Sequence, residues 1–248
     1  MKSLEKMIDL IKSSAKIVVL TGAGISTESG LPDFRSDNGF WSKNQPIQFK
    51  DFLRDQGQQR LSWSRNIELH KLLETITPNS GHELVQNIIS LNRNNILITQ
   101  NIDGLHQESG ITEDQIIEIH GNATKAACLD CFQVNAIETF HDAIIKDLEL
   151  PKCSNCSGIV KVATISFGQP MNEQDMIIAS NVSKECDLMV VMGSSLQVMP
   201  AGKIPDIALS SSAKLIILNR EKTSYDTKAD IVINDELKNI CSKLNKIF

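Results

Sequence analysis

Short runs of aliphatic and β-branched residues with little polar alternation recur along the chain, and stretches of helical spacing lie between them. The predicted strands are Lys16–Leu20, Ile96–Thr99, Ile116–Ile119, Val162–Ser166, Leu188–Met192, Lys214–Leu218 and Asp230–Ile233. Runs of this kind suit strands buried on both faces, since neither side of the pleat is offered to water. The predicted helices are Gly81–Leu91, Asn135–Ile145, Asn172–Val182, Ala201–Ser210 and Asp235–Ile247; Leu4, Met7, Ile8 and Ile11 add helical spacing near the N-terminus. Strands alternating with helices predict an α/β fold, with a mainly parallel sheet covered on both faces. Two stretches break the rhythm. Residues 33–72 hold both tryptophans and no strand pattern, and residues 123–158 hold two pairs of cysteines. Both are expected to leave the α/β core (about 1–32, 73–122 and 159–248) and to pack together as a smaller module within one domain spanning 1–248.

The first predicted strand runs into Thr21-Gly22-Ala23-Gly24-Ile25-Ser26. A strand followed by Gly-x-Gly lets bare backbone approach a ligand, and a helix N-terminus after it offers unpaired N–H groups to phosphate. A tight turn with no ligand is the alternative. Thr27 stands where a third glycine would complete G-x-G-x-x-G, and the region about 20 residues on reads Asn38-Gly39-Phe40-Trp41, with no acidic residue ending a strand. A nicotinamide dinucleotide held here is therefore not held as in hydride-transfer enzymes.

Two polar clusters follow predicted strands: Thr99-Gln100-Asn101-Ile102-Asp103-Gly104-Leu105-His106 and His120-Gly121-Asn122. In open α/β sheets ligands bind beyond the C-terminal ends of the strands. Amides with a carboxylate suit a neutral carboxamide, which both donates and accepts hydrogen bonds. Histidine titrates near neutrality and is the commonest general base. Asp103-Gly104 could equally be a turn, and each of the five histidines a packed or surface residue. His70, His82, His106 and His141 have weaker claims than His120, because none directly follows a strand with a glycine behind it.

Composition narrows the class. With 248 residues, 41% of them hydrophobic, the chain can build one large domain, or one carrying a small module. A net charge of −5 supplies no bulk basic field for nucleic acid. Leu188–Met192 is the longest apolar run and falls far short of a bilayer span. Charges interleave with the apolar residues of the first sixteen positions, unlike a signal peptide, so a cytoplasmic protein without membrane contact is expected. Aromatic residues at 4% point to a monomer.

Cys128-x-x-Cys131 and Cys153-x-x-Cys156 are separated by 21 residues. Two such pairs within one segment can converge on a tetrahedral zinc ion, and four protein ligands would close its coordination sphere, making the ion structural. A redox dithiol is the alternative reading. Cys186 and Cys241 belong to neither pair and are expected to pack.

Together these motifs closely resemble the sirtuin (Sir2) family. The matching segments are Gly22-Ala23-Gly24-Ile25-Ser26 through Gly30-Leu31-Pro32-Asp33-Phe34-Arg35, Thr99 to His106, His120-Gly121, the four cysteines, Phe167-Gly168, Gly193-Ser194-Ser195-Leu196 and Asn219. They occur in the family order and cover nearly the whole chain. The resemblance implies a Rossmann-like core with a small zinc-binding and helical module, the zinc ribbon spanning 128–156. It implies an NAD-dependent protein-lysine deacetylase that releases nicotinamide and O-acetyl-ADP-ribose from NAD and acyl-lysine protein substrates. It assigns Gly22, Ala23, Gly24, Thr27, Gly193, Ser194, Ser195, Asn219 and Glu221 to the dinucleotide, and Gln100, Asn101, Ile102 and Asp103 to its ribose and nicotinamide end. Asp33, Phe34 and Arg35 belong to the cofactor loop, His120 is the base and Asn101 a second catalytic residue. Phe167 and Gly168 lie on the substrate-pairing segment, and Cys128, Cys131, Cys153 and Cys156 hold zinc. Mono-ADP-ribosyl transfer and NAD hydrolysis use the same pocket and stand as alternatives.

Three departures concern the substrate. Lys161-Val162 stands where many sirtuins have Arg-Pro, and Gln169 where a glutamate is common. The Tyr-x-x-Arg pair with which some relatives hold a succinyl carboxylate is absent, because the only tyrosine is Tyr225; Arg65 has no tyrosine beside it. Acetyl or another neutral acyl group is expected.

Overall fold

A computed structural model of the chain describes residues 2–32, 45–146 and 149–248. Six strands form a wholly parallel sheet: β1 (Ile17–Thr21), β2 (Ile96–Thr99), β3 (Ile116–Glu118), β7 (Leu188–Met192), β8 (Lys214–Leu218) and β9 (Ile231–Ile233). Their order is β3-β2-β1-β7-β8-β9, so the winding reverses between β1 and β7. Alternate residues of each strand face opposite layers. Ile17, Val19, Leu97 and Val190 meet α1 (Lys2–Ser13), α4 (Ser80–Ser90) and α9 (Leu237–Leu244), through Met7, Ile11, Leu84, Ile88 and Ile240. Val18, Leu20, Ile98, Met189 and Val191 meet α7 (Glu173–Glu185) and α8 (Ile204–Ser210), through Ala179, Ile204 and Ala208. Apolar side chains are taken from water on both sides, at roughly 1.5–3 kcal/mol for each large one, which is why these strands carry no polar alternation.

The smaller module holds β4 (Gly121–Cys128), β5 (Val134–Ala136) and β6 (Val160–Thr164), an antiparallel sheet in the order β5-β4-β6. Two helices, α2 (Phe49–Arg54) and α3 (Gln56–Leu73), fill the described part of the 33–72 excursion. Asp55 starts α3 by accepting the N–H groups of Gly57 and Gln58. Trp63 and Ile67 of α3 pack with Ala126, Cys128, Ile137, Cys153, Val160 and Val162. The Trp63 indole donates to the Val160 carbonyl at 3.3 Å, so the helix and the small sheet share one core.

Three expectations are corrected. The predicted Val162–Ser166 strand, observed as β6, pairs with β4 and not with the parallel sheet. The predicted Asn135–Ile145 helix is strand β5, a 3-10 turn (Ile137–Phe140) and a short helix α6 (His141–Lys146); residues 134–136 are claimed by pairing with Lys125–Ala127. The described residues directly after the first glycine loop form two 3-10 turns, Ala23–Ile25 and Thr27–Ser29, in place of the expected helix start. Gly30, at φ +101°, ends the second. Among the described residues no helix is long and apolar enough to cross a membrane.

Candidate active site

The loops leaving β1 and β7 meet at the point where the winding reverses. Gly22 donates to the Met192 carbonyl at 3.1 Å and Gly24 to the Gly193 carbonyl at 2.9 Å. A Cβ on Gly24 would come within 2.8 Å of that Gly193 oxygen, and one on Gly22 within 2.8 Å of Ser194 Cβ. Gly193 itself has φ +62°. Bare backbone therefore lies on bare backbone, and Ala23, Ser194 and Ser195 sit on either side of this contact. Thr27 Oγ1 donates to the Gly24 carbonyl at 3.0 Å and ties the second 3-10 turn to the first.

The loop after β2 contributes a buried polar cluster. Ser26 Oγ donates to Asp103 Oδ2 at 2.7 Å and accepts from Asn101 Nδ2 at 3.1 Å. Asn101 Oδ1 is buried with no hydrogen-bond partner. A buried acceptor left in this way is the kind of group that a bound donor completes. Burial pushes the Asp103 carboxyl up from its ordinary range, while the Ser26 hydroxyl and the Leu105 N–H pull it back. His82, at the start of α4, accepts the Asn79 N–H on Nδ1 (3.2 Å) and places Nε2 3.4 Å from Ser26 Oγ. Burial holds His82 down at about 4 and holds His106 well below its ordinary value, so both rings are neutral at pH 7. Below them Thr21 Oγ1 bonds Thr99 Oγ1 at 2.8 Å and His106 Nε2 at 3.0 Å. Ser26, Asn79 and His82 are therefore structural members of the site that carried no role in the sequence reading. The signal was Ser26 inside the glycine motif and the helix-capping asparagine three residues before His82.

His120 follows β3. Its Nδ1 lies 2.9 Å from the Gln100 carbonyl oxygen. A carbonyl only accepts, so Nδ1 carries the proton and Nε2 is the basic nitrogen. Gln100 in turn donates through Nε2 to Ser194 Oγ at 2.9 Å, which links the β2 and β7 loops. The His120 carbonyl accepts the Ile165 N–H at 2.8 Å, and the chain then runs to Phe167 and Gly168. The Phe167 carbonyl accepts the Phe49 N–H at 2.8 Å, and Gly168 has φ +77°. Ile102, half-buried, accepts the Ala123 N–H at 2.8 Å.

Asn219 directly follows β8, one strand further along; its Nδ2 donates to the Glu221 carbonyl at 2.7 Å. The structure thus gathers Gly22, Ala23, Gly24, Gln100, Asn101, Ile102, Asp103, Gly193, Ser194 and Ser195 at the ends of β1, β2 and β7, with Asn219 and Glu221 at one side and His120 at the other. Asp33, Phe34 and Arg35 lie outside the described residues. Arg65 Nη1 donates to the Gln45 carbonyl at 2.8 Å.

The four cysteines of the small module converge. Cys128 Sγ lies 3.5 Å from Cys156 Sγ, and Cys131 Sγ 3.5 Å from Cys153 Sγ. All four sulfurs lie within 4.8 Å of one another. Tetrahedral Zn–S bonds near ~2.3 Å put sulfurs roughly 3.8 Å apart, so the set fits zinc. The Asp130 N–H points at Cys128 Sγ at 3.4 Å, as suits a thiolate. Cys186 and Cys241 are buried elsewhere, and burial pushes their thiols up to about 11 and about 12. They remain neutral and packed, as expected.

Comparison with known proteins agrees with this geometry. The Sir2 family model matches residues 22–200. An NAD-dependent protein deacetylase of Rhodopseudomonas palustris is 40% identical over 234 residues, covering 94% of this chain and 92% of its own. The solved structure of a Sir2 with a p53 peptide and NAD+ superposes with a TM-score of 0.85 at 30% identity, covering 98% of both chains. Another, with deacetylated p53 peptide and 3′-O-acetyl-ADP-ribose, gives 0.83 at 29% identity, covering 99% of this chain and 98% of that one. The likeness runs over nearly the whole length of the chain, and this chain belongs to the Sir2 family.

Proposed function

We propose that this protein is an NAD-dependent protein-lysine deacetylase that transfers the acetyl group to ADP-ribose and releases nicotinamide. The observation that carries the reading is His120, held by the Gln100 carbonyl beside the buried Ser26–Asn101–Asp103 cluster. NAD is consumed in this reaction and is a substrate. The glycine contact of Gly22, Gly24 and Gly193, with Ala23, Thr27, Ser194 and Ser195, takes its phosphates and riboses; Asn219 and Glu221 take the adenosine end. Gln100, Asn101, Ile102 and Asp103 hold the nicotinamide ribose and carboxamide, with the unpartnered Asn101 oxygen set to accept a donor. Asp33, Phe34 and Arg35, outside the described residues, are assigned to the cofactor loop by the family resemblance.

The chemistry divides among these groups. Phe167 and Gly168 pair with the backbone around the acyl-lysine and bring its carbonyl oxygen to the sugar carbon that loses nicotinamide. Asn101 and Asp103 orient the leaving amide. His120 Nε2 then takes the proton of a ribose hydroxyl as that hydroxyl attacks the former carbonyl carbon; water adds, the carbon–nitrogen bond breaks, and free lysine leaves with O-acetyl-ADP-ribose as the other product. Water must stay out until nicotinamide has left, otherwise NAD is hydrolysed. Cys128, Cys131, Cys153 and Cys156 would hold a zinc ion, whose role with four protein ligands would be to tie β4 to the 153–158 segment rather than to activate water. The division of one domain into a core and a smaller module belongs to the same reading, with β6, expected in the core, carried by the module's sheet. So do a neutral acyl group as the preferred cargo, a monomer, and a cytoplasmic setting.

The test is to mix protein, NAD and an acetyl-lysine peptide, and to follow nicotinamide and product masses. Peptide-dependent nicotinamide release with loss of the acetyl group is expected. Peptide-independent release, or ADP-ribose added to protein, would replace this reading with hydrolysis or transfer.

A further inference from the structure

We propose that His70, Glu74, Glu138 and His141 form a second metal site, for one divalent first-row transition ion, between α3 and the cysteine-bearing module. None of these residues takes part in the reaction described above. They come as two chelating pairs. His70 and Glu74 are four apart at the C-terminal end of α3, and Glu138 and His141 are three apart where the 3-10 turn of 137–140 enters α6. Residues three and four apart on a helix project to one side, and Glu-x-x-His is a spacing by which helical bundles present metal ligands.

The pairs face each other. His70 Nε2 lies 3.1 Å from Glu138 Oε1, and His70 Nδ1 lies 4.0 Å from Glu74 Oε1. One ligand atom from each of His70, Glu74 and Glu138 fits within a 4.8 Å cluster. The His141 ring packs edge-on against that of His70 with centroids 5.1 Å apart.

An ordinary ion pair does not account for the arrangement. His70 is 4% exposed, yet its Nδ1 has no hydrogen-bond partner, since 4.0 Å is too long for one. His141 Nε2 is also buried and unpartnered. Two buried imidazole nitrogens left over in one place call for an explanation, and an ion that recruits one nitrogen from each ring supplies it. Two carboxylates balance a charge of two, and a mixed imidazole–carboxylate set suits zinc, nickel, cobalt or manganese. The carboxylates are more than half exposed, which gives the ion an entry path. Bound there, it would fasten α3 to the 137–141 segment.

The experiment uses the full chain with its cysteine-bound zinc in place, titrated with further Zn²⁺ by calorimetry, with melting followed in parallel. One additional equivalent is expected, with a rise in Tm. Glu74→Gln and Glu138→Gln alter exposed positions and leave the fold intact. Each should weaken the second equivalent by about tenfold or more, and His70→Gln should abolish it, while all three retain the first zinc. A wild-type protein that takes up no second equivalent overturns the proposal, and so do carboxylate variants that bind it as tightly as wild type.

Discussion

Ser26 Oγ and Asp103 Oδ2 lie 2.7 Å apart, and this bond joins the loop after β1 to the loop after β2. Burial raises the Asp103 carboxyl and the serine hydroxyl opposes that rise. Ser26→Ala removes the opposition, so Asp103 takes up its proton at a higher pH. The acidic limb of the kcat/KM profile for NAD should therefore move upward in this variant. A limb that stays in place would remove Asp103 from the ionisations that govern the site.

His120→Ala should lower deacetylation by about 10²–10⁴-fold, the range for loss of a general base. His120 bonds the Gln100 carbonyl and is not itself part of the glycine contact, so NAD binding should survive. Steady-state rates with an acetyl-lysine peptide, paired with direct NAD titration, measure both; undiminished deacetylation would end the role given to His120.

Gly193→Ala tests the loop contact. The position has φ +62°, and an added Cβ would overlap the Ile25 N–H. The backbone conformation alone costs roughly 1–3 kcal/mol for a residue with a side chain. A lower Tm and NAD affinity reduced by about tenfold or more are expected, since displacing either loop displaces the phosphate-binding backbone. Unchanged NAD affinity would mean that the dinucleotide does not use this contact.

Cys153→Ser should release zinc and loosen the small module while the parallel sheet remains. Cys153 shares its core with Trp63, whose indole bonds to Val160, so the tryptophan emission should shift to the red. Circular dichroism should keep most of the helical signal. Full zinc content with unaltered emission would contradict the four-thiolate assignment.

His82 makes stability depend on pH. Its folded value of about 4 lies below its unfolded value of 6.5. The native state refuses a proton that the unfolded chain accepts, so stability is fully present above about pH 6.5 and falls as pH drops toward 4. The loss amounts to up to about 3 kcal/mol from this residue, and His106 acts in the same direction. Denaturant unfolding between pH 7 and pH 4.5 should show the decline, and His82→Gln should shrink it. An equal slope in the variant would place the effect elsewhere.

The parallel sheet was legible because burial on both faces writes itself as unbroken apolar runs such as Leu188–Met192. The small module's place and its cysteines were legible too, but its internal elements were not. Strand β4 reads Gly-Asn-Ala-Thr-Lys-Ala-Ala-Cys, and its buried positions include Ala123 and Ala126, too small to make a hydrophobic pattern. Helix α3 buries Gln59 and His70 along with Trp63 and Ile67, so its inner face looks polar in sequence. Val160–Thr164 carries a strand pattern that says nothing about which sheet receives it; only pairing with β4 decides. In the site, the glycine and amide motifs announced themselves through spacing. The Ser26–His82 proximity spans 56 positions and had no local signature.

His120 lies between Glu118, the last residue of β3, and Gly121, the first of β4. The chain thus passes from the large sheet to the small one through the proposed base itself, and Gly121, at φ +75° and pressed against the Ala163 carbonyl, makes the bend. The seating of the small sheet on the large one therefore bears directly on the backbone of His120, so a change made in β4 or β6 reaches the proposed base through one residue of main chain.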